Sequence, residues 1–125
     1  MIDVDEYVGL PYKVGGRDRA GIDCWGLCRL VYWDRLRKNL PSYDGYSLGK
    51  TASALIEKHA HEWQKVNELE PYDLVLFSIT GMPHHIGLSV GDGWMLHAIQ
   101  GKDSCLERIQ APMWRSRLEG FYRVR

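Results

Sequence analysis

The stretch "GIDCWGLCRLVYW", residues 21 to 33, opens on a polar aspartate and a cysteine and then turns almost wholly apolar. Asp23 is a good N-cap residue, so the stretch reads as the start of a helix. Cys24, Leu27, Cys28 and Val31 recur at i, i+3, i+4 and i+7, and Leu30, Trp33 and Leu36 widen the apolar face. That pattern predicts a mostly buried helix at the centre of the fold. Cys24 then has two readings, a small core residue or a nucleophile whose chemistry the helix start alters. A free thiol with a pKa near ~8.5 is mostly protonated at neutral pH, and the thiolate is the attacking species. The unpaired N–H groups and the dipole of a first helical turn favour negative charge and can help to hold an oxyanion. Gly26, costing about 1 kcal/mol against alanine inside a helix, fits a turn that another backbone or a substrate must approach closely.

Before this helix, Pro11 and the pair Gly15 and Gly16 punctuate a segment that reads as a short helical turn or loop packed on the domain. After it, "NLPSYDGYSLGK" (39 to 50) is rich in turn formers. Thr51 can cap a second helix running to about Val66, with Leu55, His59 and Trp63 on one stripe. From Pro71 the pattern changes to short runs separated by Gly, Pro and Asp: "DLVLFSI" (73 to 79), "HIGLSV" (85 to 90), "WMLHAI" (94 to 99), "LERI" (106 to 109) and "GFYRVR" (120 to 125). These read as strands. Helices first and an antiparallel meander second make an α+β arrangement, with helices packed on one side of a sheet.

The 125 residues are one domain's worth, and 45% hydrophobic with 26% charged residues is the composition of an ordinary globular protein. Lys plus Arg equal Asp plus Glu at 16 each, so no global field draws the chain onto nucleic acid or an anionic membrane. Three cysteines, spaced by 4 and 77, are no disulfide framework and favour folding in a reduced compartment. The N-terminus lacks a basic region followed by an apolar run, and nowhere do 18 apolar residues follow one another. The expectation is synthesis in a cytoplasm, no membrane insertion, and a carrier other than a signal peptide for work elsewhere.

A cysteine nucleophile needs a base, and "HHIGLSVGDGWMLHA" (84 to 98) offers candidates. With Gly91 to Gly93 as the loop, Val90 opposes Trp94 and Gly87 opposes His97. Side-chain alternation then puts His85, Gly87 and His97 on one face and Ile86, Leu88 and Val90 on the other. His85 and His97 become diagonal neighbours, about 7 Å apart at the backbone. The constellation is a cysteine at a helix start, a histidine on a strand facing it, and a second polar residue to orient that histidine.

The segments "PYKVGG" (11 to 16), "IDCWGL" (22 to 27), "PYDLVLF" (71 to 77), "HHIGLSVGDG" (84 to 93) and "MLHA" (95 to 98), in that order, resemble the NlpC family of papain-like cell-wall peptidases, also called the 60-kDa protein family. The likeness spans almost the whole chain. It implies a single domain over residues 1 to 125 with an α+β, papain-like NlpC-type fold, its helices packed on an antiparallel β-sheet. It also implies a cysteine peptidase that cuts the peptide stems of peptidoglycan, with Cys24 as nucleophile, His85 as base and His97 as the residue orienting it. Tyr12 matches the family's tyrosine, whose hydroxyl lies near the nucleophile and supports the oxyanion. Asp23 is a helix cap first and a substrate contact second. No cofactor and no metal are implied.

Two departures stand out: Trp25 replaces the family's frequent small residue after the cysteine, and Tyr72 replaces a glycine of the strand-opening motif. Trp25 and the segment "LPSYDG" (40 to 45) resemble the subgroup found in tail-tip proteins of long-tailed bacteriophages. That subgroup implies a place in a virion, other tail-tip proteins as partners, and a cleft lined by Trp25. Its rival is a structural tail-tip plug or assembly protein with secondary or lost catalysis.

Other readings attach to the remaining residues. Cys28 reads as core and Cys105 as incidental near the last strands. His84 reads as rim or surface, His59 and His61 as ordinary helix residues, and Trp33, Trp63 and Trp114 as packing aromatics. Cys24 and Cys28 with His85 and His97 make a rival Cys2His2 zinc site, whose spacing matches no common zinc module.

Overall fold

The computed structural model describes residues 1–42, 62–78 and 85–124. A 3-10 turn, Asp5–Tyr7, and a short hairpin of β1 (Arg17–Asp18) and β2 (Gly21–Ile22) lead into α1, Cys24–Leu36. Asp23 caps α1: its backbone is extended and its carboxylate accepts the Gly26 N–H at 2.7 Å. The same carboxylate accepts the Gly15 N–H at 3.1 Å and pairs with Arg17 at 2.8 Å, so one buried side chain fastens the preceding loop to the head of the helix. Arg37, in the left-handed region at φ 51°, ends α1.

Gly26 is required by that junction. A Cβ there would lie 2.2 Å from the Gly16 carbonyl oxygen, so the close approach anticipated at this turn is made by another backbone. Gly26→Ala is expected to destabilise the protein by about 3 kcal/mol, the upper range for overpacking, because a backbone carbonyl rather than a flexible side chain must yield. A thermal melt should register this as a fall of roughly 10 °C.

α1 buries Trp25, Leu27, Cys28, Val31 and Tyr32. The expected widening of its face fails: Trp33 and Leu36 are 49% and 43% exposed, and Leu30 is only partly buried. Trp25 and Tyr32 take their place in the core.

Among the described residues, six strands form one antiparallel sheet in the order β3 (Trp63–Val66), β8 (Leu118–Val124), β4 (Leu74–Phe77), β5 (His85–Gly91), β6 (Trp94–His97) and β7 (Cys105–Arg108). Strands β4 to β7 are the expected meander. β8 returns, after a short helix α2 (Pro112–Arg115), to lie between β3 and β4. Residues 51–61 of the expected second helix lie outside the described residues. Its last turn is corrected, because Trp63–Val66 is an edge strand paired with β8, with Trp63 buried and Gln64 and Lys65 exposed. Pairing with β8 decides the conformation here, overriding a helical spacing carried at this end by Trp63 alone.

The sheet has two covered faces. α1 packs with Leu74, Ile86, Leu88, Val90, Leu96 and Ala98 on one, while Val75, Phe77, Met95, Ile109 and Trp114 pack together on the other. Tyr72, where the family resemblance has glycine, sits at φ 76°, a conformation open to glycine without strain. Its N–H bonds the Ser89 carbonyl at 2.8 Å and its carbonyl accepts the Tyr32 hydroxyl, contacts that hold it there. Among the described residues no helix is long and apolar enough to cross a membrane.

Candidate active site

The β5–β6 hairpin pairs Leu88 with Leu96 and Ser89 with Met95, the expected register. The expected pairing of Val90 with Trp94 is replaced by Gly91 with Trp94, with an irregularity between Ser89 and Gly91. The turn is thus the two residues Asp92 and Gly93, both at positive φ (55° and 82°), and the extra residue is absorbed as a bulge. His85 and His97 consequently share a face, and His85 Nε2 lies 2.9 Å from His97 Nδ1. Gly87 leaves room beside them, since a Cβ there would stand 3.0 Å from Met95 Sδ and 3.6 Å from His97 Cβ.

A residue outside the sequence reading extends this pair. β7 pairs with β6 so that Cys105 opposes His97 and Glu107 opposes Met95, on the histidine face. His97 Nε2 meets Glu107 Oε2 at 2.5 Å, and Lys102 Nζ reaches the same oxygen at 3.2 Å. Cys105, expected to be incidental, has its sulfur 3.6 Å from His97 Nε2. Trp114 stacks on His85 (5.4 Å between centroids) and meets His97 edge-on (5.0 Å), with Phe77 closing the box at 6.1 Å from His85. Trp114 is a packing aromatic, as expected, and the groups it packs are the two imidazoles.

Burial dominates the electrostatics. It pushes His85 down to about 3, with His97 nearby adding to the effect. Burial also lowers His97 against the opposing pull of Glu107. For Glu107 burial acts upward, but Lys102 and His97 outweigh it and hold the carboxylate below its usual range. Both rings are therefore neutral at neutral pH, and the hydrogen-bond chain assigns their tautomers. Ionised Glu107 accepts from His97 Nε2–H, so His97 Nδ1 carries a lone pair and accepts from His85 Nε2–H. His85 Nδ1 is left with a free lone pair, the form a general base requires.

Cys24 heads α1, partly buried against the core cluster that includes Ile86, and the backbone N–H groups of Ile86 and Trp25 act to lower its thiol pKa. Ile86 follows His85 on β5, so the thiol meets the strand one residue from the histidine. His85 engages its Nε2 with His97, which leaves Nδ1 as the atom open to the thiol. The expected constellation puts a histidine on a strand facing this cysteine. α1 lies on the Ile86 face and the imidazoles on the other, so the two halves meet at the N-terminal end of β5. The expected depression of the thiol pKa is corrected. Burial and the neighbouring Asp23 carboxylate push Cys24 up to about 12, against the helix-start N–H groups. The residue that caps the helix places a negative charge where the dipole is positive.

Three further positions are resolved. Tyr12 is partly buried, joined to Ile22 by an isolated bridge, and its hydroxyl is pushed up to about 12 by burial and then by Cys24 and Asp23, so it remains an O–H donor. Asp23 is a cap and ion-pair partner; at 1% exposure it has no surface for the substrate contact expected of it. Trp25 does not line a cleft. It is fully buried, donates from Nε1 to the Pro41 carbonyl at 2.7 Å, and packs on Trp63 at 6.0 Å. An open groove of about 630 Å³ runs between the Tyr12 segment and the turn at Gln100–Asp103, with Lys13 and Lys102 on its walls. Cys28 is core, and His59, His61 and His84 lie outside the described residues.

A protein-family model described as the NlpC/P60 family matches residues 9–123. The chain is 26% identical over 126 residues to the murein DD-endopeptidase MepS/murein LD-carboxypeptidase of Escherichia coli K12, covering 97% of this chain and 61% of that protein. It thus spans about three fifths of that relative's length. It is 30% identical over 95 residues to the gamma-D-glutamyl-L-lysine dipeptidyl-peptidase of Bacillus subtilis, covering 74% of this chain and 28% of that protein. An NlpC/P60 family protein structure from Bacillus cereus superposes with a TM-score of 0.73 at 22% identity, over 96% of this chain and 37% of that one, and carries the same fold. The α+β fold is therefore of the papain-like kind, and with the family match running nearly from end to end, the chain belongs to the NlpC/P60 family.

Proposed function

We propose that this chain is a cysteine peptidase that hydrolyses bonds in the peptide stems of peptidoglycan, and that it works at the tail tip of a phage or phage-like particle. The observation that carries the catalytic reading is the relay of His85, His97 and Glu107 ending one residue from the Cys24 thiol. The substrate class is supported by the murein endopeptidase and dipeptidyl-peptidase relatives. The virion location is supported by Trp25 and the segment "LPSYDG" (40 to 45), which resemble tail-tip proteins.

Attack starts from a neutral thiol and a neutral imidazole. As Cys24 Sγ bonds to the peptide carbonyl carbon, its proton passes to His85 Nδ1, a step for which the ring must close on the sulfur. The new imidazolium is stabilised through His97 by the Glu107 carboxylate. Of the N–H groups at the head of α1, Gly26 and Leu27 are taken by Asp23. The Cys24 N–H is the group at this helix head that faces the oxyanion, with the Tyr12 hydroxyl as a further donor. His85 then gives its proton to the leaving amine. It next takes one from water, whose hydroxide opens the thioester and releases the carboxylate product and the thiol.

Purified peptidoglycans of different stem chemistry, digested and weighed by mass spectrometry, test the reading. Wild-type protein should release stem fragments with a new amine and a new carboxylate, whereas Cys24→Ala should release none while melting near the wild-type temperature. Equal release by both proteins would end the nucleophile assignment. Detection of the chain in purified virions tests the location.

A further inference from the structure

We propose that His97, Cys105 and Glu107 form a binding site for a zinc-like divalent ion, and that the bound ion switches the peptidase off. The switch rests on the reading of His85 as base; the site does not. Cys105 opposes His97 across the β6–β7 pair, and Glu107 is its diagonal neighbour on the same face. Their donor atoms lie within 4.8 Å of one another: Nε2 to Sγ 3.6 Å, Sγ to Oε2 4.0 Å and Nε2 to Oε2 2.5 Å.

A tetrahedral ion with bonds of about 2.0 Å to nitrogen and oxygen and about 2.3 Å to sulfur holds its ligands roughly 3.3–3.6 Å apart. The separations to sulfur are near that range. The third must open by somewhat under ~1 Å, and it joins the buried His97 to Glu107, whose side chain is 29% exposed and can yield. A set of imidazole, thiolate and carboxylate selects a borderline ion such as zinc over magnesium or calcium, which want oxygen. Lys102 opposes the ion, since its ammonium occupies Glu107 in the empty site; at 49% exposure it can swing into solvent.

The consequence follows from proton positions. Binding releases the Cys105 thiol proton, and the metal takes the lone pair of His97 Nε2, moving that ring's proton to Nδ1. His97 then donates to His85 Nε2, and the His85 proton moves to Nδ1. Each ring still holds one proton, but the nitrogen that must accept the Cys24 proton is occupied. Glu107, now a metal ligand, no longer supports the imidazolium.

Zinc titrated into Cys24→Ala protein, read by competition with a chromophoric chelator, should show one ion bound per chain. The double variant Cys24→Ala, Cys105→Ala should bind at least ten-fold more weakly while melting at the same temperature. Equal binding by the two, or no binding by either, would overturn the site. In the activity arm, zinc should inhibit the wild-type peptidase reversibly with EDTA, while Cys105→Ala keeps its metal-free turnover and resists zinc. Equal inhibition of both would place the ion on Cys24 and overturn the switch. An inactive wild-type enzyme would count against the peptidase reading alone, with the binding arm still deciding the site.

Discussion

Replacing His85 by alanine is expected to lower turnover of a stem peptide by about 10³-fold or more, the scale of a lost general acid and base. The size follows from the role proposed for it, as the one group that both accepts the thiol proton and protonates the leaving amine. The groups behind it act through it and should cost less. His97→Asn, which keeps a hydrogen-bonding group, should retain more activity than His97→Ala. Glu107→Gln keeps the shape but removes the charge that stabilises the imidazolium and fixes both tautomers, and a loss of roughly 10- to 100-fold is expected. The loss should fall on kcat with KM nearly unchanged, because Glu107 reaches substrate only through two rings. Single-turnover kinetics normalised to folded protein provide the measurement. A Glu107→Gln enzyme within two-fold of wild type would detach Glu107 from catalysis, and unchanged rates in both His97 variants would reduce the site to a Cys24 and His85 dyad.

The second large effect is on stability in acid. The folded-state pKa of His85 is depressed from 6.5 to about 3, chiefly by burial, so below 6.5 the unfolded chain binds a proton that the folded protein refuses. The stabilisation is fully present above pH 6.5 and is lost as pH falls towards 3, at up to about 1.4 kcal/mol per pH unit. His97, depressed for the same first reason, adds to the loss. Urea midpoints between pH 6.5 and 5 isolate the histidines, because ordinary carboxylates have scarcely begun to titrate there. His85→Asn should flatten this slope whatever it does to stability at pH 7. A variant as acid-sensitive as the wild type would show that His85 takes up its proton without unfolding the site.

Much of this was legible because short-range patterns specify it. The Asp23 cap, the buried stripe from Leu27 to Val31, and the alternation through "HIGLSV" are local, and the hairpin register survived even though a bulge replaced its end pairing. What escaped depends on longer range. Glu107 joins the site through the β6–β7 register, set across residues 98–104, a connection with no two-residue turn signal to fix it. Trp63–Val66 became a strand because β8, nearly 60 residues later, pairs with it. The Cys24 pKa was misjudged because the helix dipole was weighed without the charge of its own cap or the burial around it.

The division of the candidate site between the two faces of one sheet has a further consequence for how such a chain can change. The nucleophile answers to α1 and the loop clasped by Asp23, while the proton machinery answers to α2, β7 and the box around Trp114. Substitutions on one side leave the packing of the other untouched, so each half can drift under its own selection, with the backbone at the start of β5 as the common constraint. A chain built in this way can lose or retune its acid–base half while keeping the thiol and the packing around α1 intact.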